Sequence, residues 1–348
     1  AESTVLNAEA VALFARRSAL HAAALADLLR RRGATGHVRR CHGDLHLANI
    51  VMLDGVPVLF DALEFDERLA TIDTLYDLAF LLMDLTHSGA GAAANLVLGR
   101  YLWRSGASSD LEALAALPLF LAERSAVRAL VAAERAGRVA DAVERDNVAS
   151  QARSYLDRAL DALAAQPPPT LLAIGGLSGT GKSTLAAALA PGLGRAPGAI
   201  HLRSDLERKA LAGVAETKRL PAAAYRPETT ATVYDRLTAR ARLILAAGHS
   251  VVLDAVCSTP EERAAIAAIA STTGARFHGL WLTADPAVLT ARVGARRGDA
   301  SDADAAVVTA QLARDVGPID WTCVDAGSDA GATLARALTK LEATSSAV

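Results

Sequence analysis

The chain has 348 residues, enough for two domains on a prior of about 150 residues each. Hydrophobic residues make up 52% and aromatics only 4%, so Ala, Leu and Val must supply a large core and disorder is excluded. The net charge of −2 draws in neither nucleic acid nor anionic lipid, and the widely spaced Cys41, Cys257 and Cys323 exclude a disulfide framework or zinc cluster.

Val11, Phe14, Ala15, Ala22, Leu25, Leu28 and Leu29 form a helical stripe that ends at Arg32-Gly33. Next, Ile50–Leu53 and Val56–Phe60 flank Asp54-Gly55, a two-residue hairpin signal, and Pro57 makes one of these an edge strand. Residues 111–164 read as helices rich in Ala, Leu and Arg. Pro167-Pro168-Pro169 then breaks the pattern, so we expect domains over 1–165 and 170–348 joined by a spacer at 166–169. Beyond it, apolar runs at 171–174, 251–253 and 277–282 alternate with helical segments near 183–190, 228–247, 260–270 and 304–314. That rhythm predicts a parallel sheet covered by helices. The expected fold class is therefore α/β: a mainly helical first half, then a parallel-sheet α/β/α domain. No apolar run reaches the ~18 residues of a membrane span, and no signal-peptide pattern opens the chain, so a soluble, cytoplasmic protein is expected.

Lysine occurs only at Lys182, Lys209, Lys218 and Lys340, so any chemistry needing one begins at Lys182. There, the apolar run 170–175 leads into Gly176-Leu177-Ser178-Gly179-Thr180-Gly181-Lys182-Ser183, followed by Thr184. The run matches G-x-x-x-x-G-K-[ST] in its strand–loop–helix context. Glycines let backbone N–H groups curl around phosphates, Lys182 is placed to reach the β- and γ-phosphates, and the Ser183 hydroxyl to bind Mg²⁺. This predicts an ATP site over residues 176–184.

Ile200–Ser204 reads as a second strand delivering Asp205, with Arg208 three residues on. An aspartate there can take the proton of an attacking hydroxyl, and Arg208 can hold an anionic or polar substrate group. The competing reading has Asp205 capping a helix and Arg208 in a surface ion pair. Val251–Asp254 has the pattern of a strand ending in a metal-contacting aspartate, against a plain turn residue. Arg292, Arg296 and Arg297 precede the flexible-looking run 298–303, as lid arginines that close over a phosphoryl group or as a solvated helix end. On these motifs residues 170–345 resemble the P-loop kinases that include gluconate kinases, zeta-type toxins and polynucleotide 5′-kinases. The resemblance implies a kinase with Asp205 as base, without fixing the acceptor.

In the first half, His42-Gly43-Asp44-Leu45-His46-Leu47-Ala48-Asn49 places Asn49 five positions after Asp44, and Asp61 follows across the hairpin. Phosphoryl transfer needs such a set: one carboxylate for the hydroxyl proton, and oxygen ligands for Mg²⁺ at Asn49 and Asp61. The loop is similar to that of the aminoglycoside phosphotransferase family, and residues 59–65 and 72–79 resemble its metal aspartate and a following buried aspartate. The resemblance covers the helical C-lobe only. A kinase N-lobe needs on the order of 60 residues of strands and helix, yet only 41 helical residues precede His42, without a Gly-rich loop or a lysine. We expect a fragment of a longer kinase, or else a relic, and an inactive first half as the chain stands.

The whole chain resembles bacterial fusions of these two domains. The leading expectation is transfer of the γ-phosphate of MgATP to a hydroxyl of a small molecule, with Asp205, Lys182, Arg208 and Asp44 as candidate catalytic residues. A regulatory nucleotide-sensing ATPase is the second reading. A polynucleotide kinase is the third, and its basic patch would be Arg203, Arg208, Lys218 and Arg219. Acceptor specificity is expected within 209–235; no membrane partner is expected, and nucleic acid is disfavoured.

Overall fold

The computed structural model describes residues 5–345, so the outer ends of the two expected domains, residues 1–4 and 346–348, lie outside the described residues. The chain separates into two compact units, one built mainly from residues up to Pro167 and the other from Pro168 onward.

In the first unit, the N-terminal apolar stripe forms not one helix but two, α1 (Ala8–Ala24) and α2 (Ala26–Ala34), divided at Leu25. Asn7 caps α1 by accepting from the N–H groups of Glu9 and Ala10. Arg32 is buried near the end of α2. Its Nε and Nη2 grip Asp73 at 2.6 and 2.8 Å, and Nη1 reaches Asp110 at 3.2 Å. A charge buried this deeply is tolerated only because its donors are matched in a fork.

β1 (Val38–Arg40) pairs antiparallel with β4 (Thr71–Asp73), a two-stranded sheet that sequence reading missed because each strand has three residues. β2 (Ile50–Leu53) and β3 (Val56–Leu59) form the expected hairpin, with Asp54 and Gly55 at φ +50° and +77°. Positive φ at both turn positions is what Asp-Gly provides. The short α3 (Glu67–Ala70) precedes β4. α4 (Thr74–His87), α5 (Gly91–Ser105), α6 (Ser108–Glu112), α7 (Leu117–Ala136) and α8 (Ala142–Ala162) complete the unit. Leu75, Leu82, Leu98, Leu102, Leu114 and Leu117 are fully buried among them, each worth roughly 1.5–3 kcal/mol.

The second unit is a five-stranded, all-parallel sheet in the order β6-β7-β5-β8-β9. The strands are β5 (Thr170–Gly176), β6 (Ile200–Arg203), β7 (Val251–Asp254), β8 (Arg276–Thr283) and β9 (Thr322–Asp325). Leu171, Leu172, Ala173 and Ile174 of β5 are buried on both faces, as a central parallel strand requires. The covering helices are α9 (Lys182–Leu189), α10 (Ser204–Leu211), α11 (Pro227–Ala246), α12 (Pro260–Thr273), α13 (Pro286–Ala295), α14 (Ala305–Leu312) and α15 (Ala330–Ser345). The chain leaves β5 for β6 on one side and returns to β8 on the other. The carboxyl ends of β5, β6 and β7 thus meet at a topological switch point, where open α/β sheets bind ligands. Among the described residues no helix is long and apolar enough to cross a membrane.

Candidate active site

The loop between β5 and α9 is shaped by its glycines. Gly176 has φ +134° and a Cβ there would lie 2.6 Å from the Leu282 carbonyl oxygen; Gly179 has φ +89° and a Cβ would lie 2.7 Å from that of Leu289. Only glycine fits either position. The Leu177 carbonyl accepts from Thr180 Oγ1 at 2.8 Å and Lys182 Nζ at 3.0 Å, which folds the loop around itself. Gly181 begins α9 without a side-chain cap, so the N–H groups of its first turn face the loop's hollow.

Three strands deliver the charged groups. Ser183 Oγ, in the first turn of α9, donates to the carboxylate of Asp254 at the end of β7. His201 Nε2 stands 3.5 Å from the same carboxylate and Arg203 Nε 3.9 Å. Burial alone would raise Asp254; His201, Lys182 and Ser183 overcome it and hold the carboxyl below its usual value. Asp205, in the first turn of α10, is pushed the other way, by burial first and then by the Asp254 charge, against Lys182 and a hydrogen bond to Ser301. Burial likewise lowers Lys182, against the pull of Asp254 and Asp205. Two neighbouring aspartates therefore differ in proton affinity, the pattern of a metal-side carboxylate beside a base.

Asp205 and Arg208 line one cavity of about 470 Å³, together with Leu177 and Ser178 of the loop. Arg208 is buried; its Nη1 donates to the Ala224 carbonyl at 2.7 Å and Thr230 Oγ1 at 3.3 Å, and its guanidinium lies 4.8 Å from the Tyr225 ring. It is therefore no surface ion pair. Arg219, Leu220, Ala222, Tyr225, Thr230 and Tyr234 come from the stretch expected to set specificity. Sequence reading missed the rest of the wall: Val256, Ser258 and Glu262 after β7, and Val307, Ala310, Gln311 and Arg314 on and just after α14. It also missed the buried Arg263, whose Nη1 holds the Cys257 carbonyl at 2.9 Å and whose Nη2 holds those of Val316 and Pro318 at 2.8 and 2.9 Å. The helical spacing 307, 310, 311, 314 was the signal available for the α14 face.

The segment expected as a flexible lid is instead fastened by its acids. Asp299 accepts from Arg203 Nη2 at 2.8 Å and lies 3.4 Å from Arg296 Nε. Asp302 takes two hydrogen bonds from Lys209 at 2.7 and 2.8 Å, and others from Leu220 N at 2.9 Å and the Tyr225 hydroxyl at 2.6 Å. Arg296 is near enough to Lys182 to lower its proton affinity. Arg292 is not on the lid: it is held by the carbonyls of Ala326, at 2.8 Å, and Ser328. There it lines a second cavity of about 240 Å³ with Thr180, Gly181 and Thr184. Two residues of the hypothetical basic patch are paired with acids, Arg203 with Asp299 and Arg219 with Asp304 at 2.6 Å.

In the first unit, Asp77 accepts from the N–H groups of His42 at 3.1 Å and Gly43 at 2.9 Å, fixing the loop's entry. Asn49 Nδ2 donates to the Asp44 carbonyl at 2.9 Å and carboxylate at 3.1 Å, and His46 Nε2 stands 3.3 Å from that carboxylate. The Phe60 N–H donates to the Asn49 carbonyl at 3.1 Å, so the hairpin's base brings Asp61 beside Asn49 along the backbone. Among the described residues no group of three or more His, Cys, Asp or Glu is arranged to hold a metal ion.

A glycine-shaped loop on a parallel sheet, with an acidic pair at the neighbouring strand ends, defines a P-loop domain of the α/β kinase type. Residues 171–317 match the AAA domain family and residues 2–117 the phosphotransferase enzyme family. The chain thus joins a phosphotransferase-family region to an AAA-type P-loop domain. Uncharacterized proteins of Mycobacterium tuberculosis and Mycobacterium bovis are 34% identical over 289 residues, which is 80% of this chain and 54% of theirs. The chain therefore spans about half the length of these curated relatives. Among solved structures, a gluconokinase from Sinorhizobium meliloti 1021 is 21% identical over 51% of this chain and 93% of its own, with a TM-score of 0.34. A sugar kinase from Janibacter sp. HTCC2649 is 19% identical over 51% of this chain and 95% of its own, with a TM-score of 0.38.

Proposed function

We propose that the P-loop unit is an ATP-dependent phosphotransferase that moves the γ-phosphate of MgATP to a hydroxyl of a small-molecule acceptor. The observation that carries this reading is that Asp205, with a raised proton affinity, shares its cavity with the phosphate loop. A plain ATPase needs no second pocket there. The phosphates would lie on residues 176–184 with Lys182 turned from the Leu177 carbonyl toward them. Thr184 and Arg292 would face the nucleoside from the smaller cavity.

Ser183 and Asp254 fit a magnesium ion, because a hydroxyl and an ionised carboxylate already converge beside the loop. Bound there, Mg²⁺ would offset phosphate charge. Asp205 accepts the acceptor's proton and Arg208 orients the acceptor, while Arg203 and Arg296 share the Asp299 carboxylate beside them. The first unit keeps Asp44 and Asn49 together, whereas in the second Ser183, Asp254 and Asp205 gather beside a glycine-shaped loop that carries Lys182. We assign the chemistry to the P-loop unit.

The test is transfer of labelled γ-phosphate from ATP to a panel of sugars, aminoglycosides and 5′-hydroxyl oligonucleotides. Product lost in Asp205→Asn and kept in Asp44→Asn supports the reading. Release of inorganic phosphate alone, equal in all three proteins, would sink it in favour of a nucleotide-sensing ATPase. Compensation of Arg203 and Arg219 argues against the oligonucleotides, which require a free basic track.

A further inference from the structure

The cavity in front of Asp205, about 470 Å³, falls within the range of drug-sized sites, about 300–1,000 Å³. Its walls differ in chemistry. One wall is a face of α14 and the turn after it, where Val307, Ala310, Gln311 and Arg314 follow the helical spacing that places residues on one side. Gln311 Oε1 accepts the Ser178 N–H at 2.8 Å, which commits that side chain to the phosphate loop and holds α14 against it. What this face then offers a ligand is the aliphatic surface of Val307 and Ala310, with the exposed Arg314 at its end. Leu220, Val256 and Val316 line the same space.

Most charged groups of the cavity already have partners. Asp302 holds Lys209, Arg219 holds Asp304, and Glu262 accepts the Thr259 N–H at 3.2 Å. Two cations are exceptions, the exposed Arg314 and the buried Arg208. Arg208 is 7% exposed, its Nε is buried without a hydrogen-bond partner, and no carboxylate lies within ion-pair distance among the described residues. A polyol, by contrast, would bring a hydroxyl for every carbon. Each hydroxyl left unpaired against aliphatic walls costs about 1–3 kcal/mol.

We propose that the acceptor is an amphipathic alcohol: one hydroxyl at Asp205, one anionic group at Arg208, and a branched aliphatic or aromatic body against Val307, Ala310 and Leu220. The proposal rests on the phosphotransferase reading and narrows it. The hydroxyl oxygen forms a bond to the γ-phosphorus while the bond to the β,γ-bridging oxygen breaks. The hydroxyl proton passes to Asp205 and ADP leaves with the electron pair. Val307 and Ala310 are then specificity-determining, a role for α14 apart from phosphate binding.

The experiment is calorimetric titration of the full chain, loaded with Mg²⁺ and AMP-PNP, with glycerate and 3-phenyllactate. These share a 2-hydroxy acid and differ in a hydroxyl or a phenyl at carbon 3. We expect 3-phenyllactate to bind at least about tenfold more tightly, the discrimination that one or two buried methylene groups supply. Ala310→Asp and Val307→Asn, both at exposed positions, should erase that preference, with AMP-PNP affinity and the melting temperature as controls. Glycerate binding as tightly, neither compound binding, or a preference unmoved by both substitutions overturns the acceptor class. Failure of the unsubstituted protein to bind AMP-PNP would instead overturn the phosphotransferase reading beneath it.

Discussion

The Ser183 hydroxyl donates to the Asp254 carboxylate, joining the first turn of α9 to the end of β7 across 71 residues of sequence. Neither side chain is needed there to cap a helix or complete a strand. Both are oxygen donors suited to a hard cation, and together they place magnesium beside the phosphate loop in the proposed function. Asp254→Asn keeps a polar side chain of the same shape and removes its charge. The expected result is that Mg²⁺ no longer tightens AMP-PNP binding, a loss of about tenfold or more. Calorimetry with and without Mg²⁺ measures it directly. An unchanged Mg²⁺ dependence would make the Ser183–Asp254 bond merely structural.

In the proposed reaction Asp205, as the base, sets the acid limb. Burial and the neighbouring Asp254 charge raise its proton affinity above that of an ordinary aspartate. A base must be deprotonated to work, so activity falls as pH drops through this raised value. The decline should start at higher pH than a solvent-exposed aspartate would produce. Asp205→Asn should reduce transfer by about 10²–10⁴-fold while MgATP affinity holds. A pH–rate profile of kcat/KM with an acid limb at the ordinary aspartate value, near 3.8, would contradict the assignment.

Gly179 tests the loop without touching a charge. Its φ of +89° and the Leu289 carbonyl oxygen, 2.7 Å from any Cβ built there, leave no room for alanine. Backbone on backbone cannot give way as a flexible side chain would. Gly179→Ala should therefore cost AMP-PNP affinity by tenfold or more, on the order of 1–3 kcal/mol of strain. Gly181 provides the contrast: its φ is +87°, yet a Cβ there meets nothing within 4 Å. Gly181→Ala should weaken binding less. Equal losses at the two positions would show that φ alone, not the Leu289 contact, sets the requirement.

The sheet was legible where apolar runs were long. Leu171–Ile174 and Val251–Leu253 are buried on both faces, so their composition carries no alternation to misread. β9 escaped because Thr322–Asp325 is four residues with polar ends and only Val324 buried. The fold brings the motif residues of the second unit together, Ser183 to Asp254 and Asp205 into the cavity beside Leu177 and Ser178. The run 298–303 was harder to read. Gly, Ser and Asp suggested mobility, but Asp299 and Asp302 find Arg203 and Lys209, 96 and 93 residues away. Sequence shows that an acid is present, and only the fold shows that a buried lysine is waiting for it.

That lysine permits the sharpest stability test. Lys209 is fully buried on α10 and gives two hydrogen bonds to Asp302, at 2.7 and 2.8 Å. Removing the acid strands an ammonium group in the interior, a loss of about 3–5 kcal/mol. Asp302→Ala should lower the urea midpoint of the P-loop unit accordingly, followed through Trp281 and Trp321 fluorescence in a Trp103→Phe background. Lys209→Met combined with Asp302→Leu should recover most of that loss, because well-packed apolar residues often replace a buried pair at little cost. The pH dependence has a definite sign. Burial would raise Asp302, but Lys209, Tyr225 and the Leu220 N–H overcome it and hold the carboxyl below its ordinary value near 3.8. The Asp302 contribution is therefore fully present above that ordinary value and fades as pH falls toward the lower, folded one. The wild-type and Asp302→Ala midpoints should converge only in that acid range. A constant gap down to acid pH, or a double variant no more stable than Asp302→Ala, would show that the carboxylate's charge is not what secures the segment.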